Sequence, residues 1–146
     1  MNIDEQDTQD KKGQSLKHAN ITELIIGCAF EVIYELGAGF LESVYEKALL
    51  VALRHKGLVV EHQVPIQVIF RGVSVGDFFA DLWVEKKVIV ELKATKALAS
   101  EHQAQVINYL NATGIEVALL INFGSARLEV KRLTRNKNPE IPEGQV

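Results

Sequence analysis

The sequence predicts a single layered α/β (α+β) domain with a mixed β-sheet flanked by helices. Two observations carry this. Helical and strand-like periodicities follow one another in the order α-α-β-β-β-α-β-β, so helices stand before and after a three-strand meander rather than alternating regularly with strands. The chain has 146 residues, 47% of them hydrophobic and 24% charged, enough apolar material for one packed core.

Residues 1–19 are polar and rich in Asp, Gln and Lys, and read as a disordered N-terminal arm. The domain is expected over 20–134. Asn20 and Glu23 have capping-box spacing, and Leu24, Ile25, Cys28, Ala29, Val32 and Leu36 then recur at helical spacing. Gly37 and Gly39 interrupt that helix. A second helix is expected over Leu41–Lys56, with a stripe of Val44, Ala48, Val51 and Ala52 widened by Leu41, Tyr45, Leu49 and Leu53. Gly57 is its stop signal. The period then shortens to two. Val59–Phe70 reads as a strand in which Pro65 argues for an edge or a strand start. Arg71-Gly72 is a turn, Val75–Val84 a second strand, Lys86-Lys87 the next turn, and Val88–Lys93 a short β-branched strand. Ser100 and Gln103 again have capping-box spacing, for a helix to about Ala112 that ends at Gly114. Val117–Phe123 is a buried strand and Leu128–Leu133 a last one. Residues 135–146, with Pro139 and Pro142, are expected to form a flexible tail.

Several classes are disfavoured. A net charge of −3 argues against a uniformly basic nucleic-acid coat. The single cysteine, Cys28, excludes an internal disulfide and a cysteine-based zinc site. The N-terminal segment has no apolar core of a secretory signal, and the apolar runs fall short of the ~20 residues of a membrane helix, so a cytoplasmic location away from membranes is expected. The four histidines show no metal-ligand spacing. No His stands near Ser43, and Gly37-Ala38-Gly39 lacks the Gly-Lys-Ser/Thr of a phosphate loop.

The informative stretch runs from Asp81 to Lys93. Alternation along a strand puts Ile89, Glu91 and Lys93 on one face, so a carboxylate and an ammonium emerge side by side from an apolar strand. A hairpin can bring Asp81 beside Glu91. Two such carboxylates repel unless a cation lies between them. Mg²⁺ favours one or two carboxylates, with water and phosphate oxygens completing its shell, and a nearby Lys can hold a phosphate or orient water. The set describes phosphodiester hydrolysis. An isolated Glu-x-Lys more often makes a plain ion pair, and Asp81 is what shifts the balance. Glu42 lies in the first turn of its helix, where the positive dipole end favours a carboxylate in any case. Gln105 and Tyr109 share a helix face at i and i+4. His102 reads as a surface residue and Trp83 as core packing. Lys86, Lys87, Lys93 and Lys96, and further on Lys131, Arg132, Arg135 and Lys137, are the basic clusters.

Taken together, Gly39-x-x-Glu42-x-x-Tyr45, Asp81, Glu91-x-Lys93 and Gln105-x-x-x-Tyr109 resemble the bacterial GxxExxY family of the PD-(D/E)XK nuclease superfamily, over roughly Ile21 to Leu133. Ala80 stands where the signature names Pro. The resemblance implies a nuclease-like core, with the metal-binding acids at Asp81 and Glu91, the catalytic lysine at Lys93 and an extra helical acid at Glu42. The expected function is a nuclease dependent on Mg²⁺ or Mn²⁺. Asp81, Glu91 and the Leu92 backbone carbonyl hold the metal, and Glu42 is a further ligand through water or a second ion. Gln105 and Tyr109 are substrate contacts or support. Nucleic acid is the expected partner, DNA ahead of RNA. The alternative is a catalytically silent module that binds nucleic acid or protein on the same fold. A two-fold homodimer is a further arrangement the sequence leaves open.

Overall fold

The computed structural model describes residues 16–135, so most of the expected arm and all of the tail beyond Arg135 lie outside the described residues. Three helices, α1 (Ala19–Leu36), α2 (Glu42–His55) and α3 (Ser100–Thr113), accompany five strands: β1 (Val60–Phe70), β2 (Val73–Val84), β3 (Val88–Lys93), β4 (Val117–Asn122) and β5 (Glu129–Thr134). The element order is the one expected, and the strand limits differ by one or two residues. The strands form one sheet in chain order, β1-β2-β3-β4-β5. Every neighbouring pair is antiparallel except β3 and β4, which are parallel with α3 as the crossover. β1 lies at the edge, where Pro65 costs no ladder partner on its open side.

Strand alternation divides the core in two. Val88, Val90 and Leu92 of β3, with Val117, Leu119 and Ile121 of β4, pack against α1 and α2 through Ile25, Cys28, Tyr45, Leu49 and Leu53. Ile89, Ala118 and Leu120 face the other way, onto Val106, Tyr109 and Leu110 of α3. All six residues of β4 are buried, as befits a strand with helices over both faces.

Three local expectations are corrected. The first helix starts at Ala19 after a left-handed His18, which leaves Asn20 inside the first turn and no Asn20–Glu23 box. Helix α3 is capped at Ala99, not Ser100: the Ala99 N–H donates to His102 Nδ1 at 3.0 Å, and the His102 N–H donates to the Ala99 carbonyl. On α2 the core-facing stripe is Tyr45-Leu49-Leu53. Leu41, Val44 and Val51 are exposed, because α1 already covers that flank of the sheet.

The β1–β2 hairpin changes faces midway. Val60, Leu82 and Val84 belong to the α1–α2 side, whereas Ile66 and Ala80 belong to the α3 side. The exchange falls at Gln63 and Asp81, which stand opposite each other between the pairs His62–Leu82 and Val64–Ala80. Gln63 has φ 54°, left-handed inside a strand, at the point where the alternation of both strands turns over.

The chain leaving β3 is clamped from the side. The Asn122 side chain, fully buried, accepts N–H groups from Thr95 and Gly124 at 3.0 Å each, and donates to the Thr95 carbonyl (3.0 Å) and Glu129 Oε1 (2.8 Å). The Phe123 N–H bonds the Lys93 carbonyl at 2.9 Å. A Cβ on Gly124 would sit 2.4 Å from the Ala94 and Thr95 backbone. Backbone cannot swing aside as a flexible side chain can, so Gly124→Ala is expected to cost at least about 1–3 kcal/mol by overpacking. Urea unfolding checks this, and an unchanged midpoint would mean that the 94–95 segment yields freely.

Candidate functional site

The β2–β3 ladder runs from Val84–Val88 to Leu82–Val90, and the same register sets Asp81 opposite Glu91. There side chains replace the ladder. The Asp81 N–H donates to Glu91 Oε2 at 2.8 Å, and the Leu92 N–H donates to Asp81 Oδ2 at 2.8 Å. Each carboxylate thus caps a backbone donor on the other's strand. Both side chains are buried, at 9% and 5% exposure. Lys93, two residues on from Glu91 and half-buried, continues the same face.

Burial dominates the electrostatics. It pushes the Glu91 carboxyl up to about 8, helped by the Asp81 charge and opposed by the Asp81 N–H and by Lys93. It pushes Asp81 up to about 6, opposed first by the Leu92 N–H and reinforced by the charges of Glu46 and Glu42. Glu42 is raised too, by burial and then by Glu46, against the pull of Lys93 and His102. Glu46 and Glu42 thus act on Asp81, Lys93 and Glu42 on Glu91, and His102 on Glu42.

Tyr45 brings α2 into this arrangement. Its hydroxyl donates to the Gly37 carbonyl at 2.6 Å and accepts the Phe40 N–H at 3.1 Å, while its ring stacks on Phe123 at 4.7 Å. Phe123 in turn holds the Lys93 carbonyl. The glycines permit the turn: Gly37 and Gly39 have φ of 78° and 104°. The Gly-x-x-Glu-x-x-Tyr run is therefore a positioning device. Its Tyr ties the loop to Phe123, and its Glu comes close enough to feel the Lys93 charge.

Three neighbours escaped the sequence reading. Glu46, buried, lies one turn beyond Glu42, and that i, i+4 relation was a usable signal. His62 Nε2 lies 2.8 Å from Glu46 Oε2. Gln63 Nε2 donates to Glu46 Oε2 at 2.6 Å and to Asp81 Oδ1 at 3.3 Å. Nothing in the β1 sequence announces its left-handed residue, so these two had no signal.

Tyr109 is buried, packs against Phe78 at 5.8 Å, and has its hydroxyl raised by burial and by the charges of Glu91 and Asp81. Gln105 is exposed. Both line an open groove of about 750 Å³ between the hairpin and α3, with Val68, Val75, Phe78 and Asn108. His102 is half-buried and caps its helix rather than lying free on the surface. Trp83 packs on the α3 side under the Lys86 ammonium. The basic residues do not gather at the two carboxylates. Lys86 and Lys87 precede β3 and Lys93 ends it, so Lys87 and Lys93 stand about 20 Å apart at ~3.3 Å per residue. Lys86 pairs with Glu61 at 3.3 Å.

Among the described residues, no three His, Cys, Asp or Glu side chains form a complete ligand set. What converges is an oxygen-only pair, Asp81 and Glu91, burdened with buried negative charge. That donor chemistry fits a hard divalent cation, which takes one or two carboxylates and completes its shell with water and phosphate. Among the described residues, no helix is long and apolar enough to cross a membrane.

The model of the PD-(D/E)XK nuclease superfamily matches residues 19–133. No curated protein sequence matches. Solved structures share the fold, among them these two. The alkaline exonuclease LHK-Exo from Laribacter hongkongensis aligns at TM-score 0.51 and 12% identity, over 90% of this chain and 77% of that one. The crystal structure of SSO0001 aligns at TM-score 0.53 and 15% identity, over 68% of this chain. The chain aligns with about half the length of SSO0001, 52%.

The raised carboxyl groups have a measurable consequence. The native state holds protons that the unfolded chain, with carboxyl values near ~4, has released, so stability falls as pH rises from about 4 towards 8. In chelator, the wild-type melting temperature is expected to drop between about pH 5 and 9, and Glu91→Gln to flatten that drop. Identical pH profiles for the two proteins would remove Glu91 from this role.

Proposed function

Because the chain belongs to the PD-(D/E)XK nuclease superfamily, we propose that it is a divalent-metal-dependent nuclease of the GxxExxY branch, hydrolysing nucleic-acid phosphodiester bonds at Asp81, Glu91 and Lys93. The observation that carries this is the reciprocal bonding of Asp81 and Glu91 through each other's strand, with Lys93 beyond on the same face. Asp81, Glu91 and the Leu92 carbonyl would hold Mg²⁺ or Mn²⁺, and Glu42 would act through water. When bound, the ion supplies Lewis acidity to the phosphoryl oxygen and lowers the pKa of water.

The chain's own residues do the rest. Lys93, its carbonyl fixed by Phe123, directs its ammonium at the phosphate or the attacking water. Glu91 and Asp81 would have to release their protons to hold a cation, so metal affinity is expected to rise with pH up to about 8. Tyr109 and Gln105 line the groove along which the nucleic-acid strand would lie, its walls carrying Phe78 and the Asn108 amide.

One observation favours a second reading, in which the fold binds without cutting. The lysines before β3 lie at the far end of the strand, so the site lacks the broad basic field that drives nucleic-acid affinity.

Calorimetry with Mg²⁺ and Mn²⁺ tests the first reading. Wild type is expected to bind and Asp81→Asn, which keeps an acceptor for the Leu92 N–H, to lose binding. On single- and double-stranded DNA and RNA, Lys93→Ala is expected to lower the cleavage rate by roughly 10²-fold or more. Metal binding without cleavage of any substrate would favour the silent module. Wild type that binds neither ion, even with nucleic acid present, would sink the metal site.

A further inference from the structure

We propose that Gln63 is a positioning residue for Asp81, fixing the carboxylate in the orientation that receives a divalent cation; this rests on the metal-site reading above. Four facts converge on it.

The backbone is the first. Gln63 has φ 54° in the interior of β1, whereas the other left-handed non-glycine residues among those described, His18, Arg71, Glu85 and Lys86, stand at a helix start or in turns. A left-handed residue inside a strand is costly for an L-amino acid and survives only where its surroundings enforce it. Core packing is not the reason, since Gln63 is exposed.

The second is register. Gln63 lies directly across from Asp81, at the point where the hairpin exchanges faces. The normal strand conformation would turn its side chain away from both carboxylates it now reaches.

The third is the hydrogen bonding. Nε2 donates to Glu46 Oε2 at 2.6 Å and to Asp81 Oδ1 at 3.3 Å, and an amide NH₂ has the two hydrogens this requires. Asp81 Oδ2 is held by the Leu92 N–H. Both oxygens of Asp81 are therefore fixed, one from each neighbouring strand, and each keeps a lone pair for a cation.

The fourth is charge. Gln63 joins two carboxylates on α2 and β2 without adding a positive charge of its own. A Lys or Arg there would neutralise Asp81 and compete with the ion. A neutral donor orients the ligand and leaves its charge for the metal. His62, 2.8 Å from the same Glu46 oxygen, steadies the far end of the bridge.

A purely structural role, making the kink, predicts something different, and Gln63→Gly separates the two. Glycine accepts a positive φ more readily than glutamine, so the variant keeps the kink and discards the amide. Its melting temperature is expected to match or exceed wild type, while calorimetry shows Mn²⁺ binding weakened by roughly 10- to 100-fold, the usual range for loss of a group that orients a metal ligand. Gln63→Asn tolerates the left-handed backbone but is one methylene too short for both carboxylates, and is expected to lose Mn²⁺ affinity in the same way. In cleavage assays the fall is expected in kcat, with KM for DNA little changed. Folded Gln63→Gly or Gln63→Asn binding Mn²⁺ as wild type does would overturn the proposal and leave the metal site standing. So would an affinity loss no larger than the loss of folded fraction. Wild type that fails to bind Mn²⁺ would remove the metal site and the Gln63 role together.

Discussion

The exchange between Asp81 and Glu91 is the constraint around which the structure is arranged. Where a β-ladder would join two backbones, two carboxylates substitute, each accepting an N–H from the opposite strand at 2.8 Å. The substitution leaves neither N–H unpaired, which matters because an unpaired buried donor is expensive. It also stores negative charge in a buried place, which only a proton or a cation can relieve. The same two bonds give the sheet its local geometry and the site its chemical demand.

The surrounding elements keep that geometry in place. Below it, the β2–β3 register and the two core layers fix which face each strand residue takes. Beyond it, Asn122 and Gly124 hold the segment after Lys93 against β4, in a space that admits no Cβ. From the side, Tyr45 joins the Gly37–Phe40 loop to Phe123, and through Phe123 to the Lys93 carbonyl. The apolar core supplies most of the free energy. These few polar contacts, each individually modest, determine where the charges stand.

Charge explains why the acids do not simply repel one another out of place. Glu42, Glu46, Asp81 and Glu91 come from three elements, α2, β2 and β3, with Lys93 and His102 as the nearby basic groups acting on Glu42. Burial raises the carboxyl groups of Asp81 and Glu91, to about 6 and about 8, so the pair carries protons near neutral pH. Partial protonation lowers the repulsion within the buried pair. The fold alone, shared with proteins at 12% and 15% identity, would not say this.

Much of this was legible in the sequence. Period-two alternation placed Glu91 and Lys93 on one face of β3, and the position of the Lys86-Lys87 turn set Asp81 within reach of Glu91, because strand geometry is local and nearly rigid. The element order followed for the same reason, and so did the pairing of Glu42 with Tyr45, three residues apart at the start of one helix. What stayed hidden depends on contacts between distant segments. The buried face of α2 depends on where α1 already lies, so Val44 and Val51 looked like core and are exposed. Lys86 and Lys87 are near Lys93 in sequence, yet an extended strand of six residues separates them. His62 and Gln63 reach Glu46 and Asp81 where Gln63 of β1 turns left-handed, a conformation the β1 sequence does not announce. Sequence periodicity specified the faces of single elements. The tertiary structure alone decided which distant side chains meet, because a backbone conformation that no local propensity favours is held by its partners across the fold.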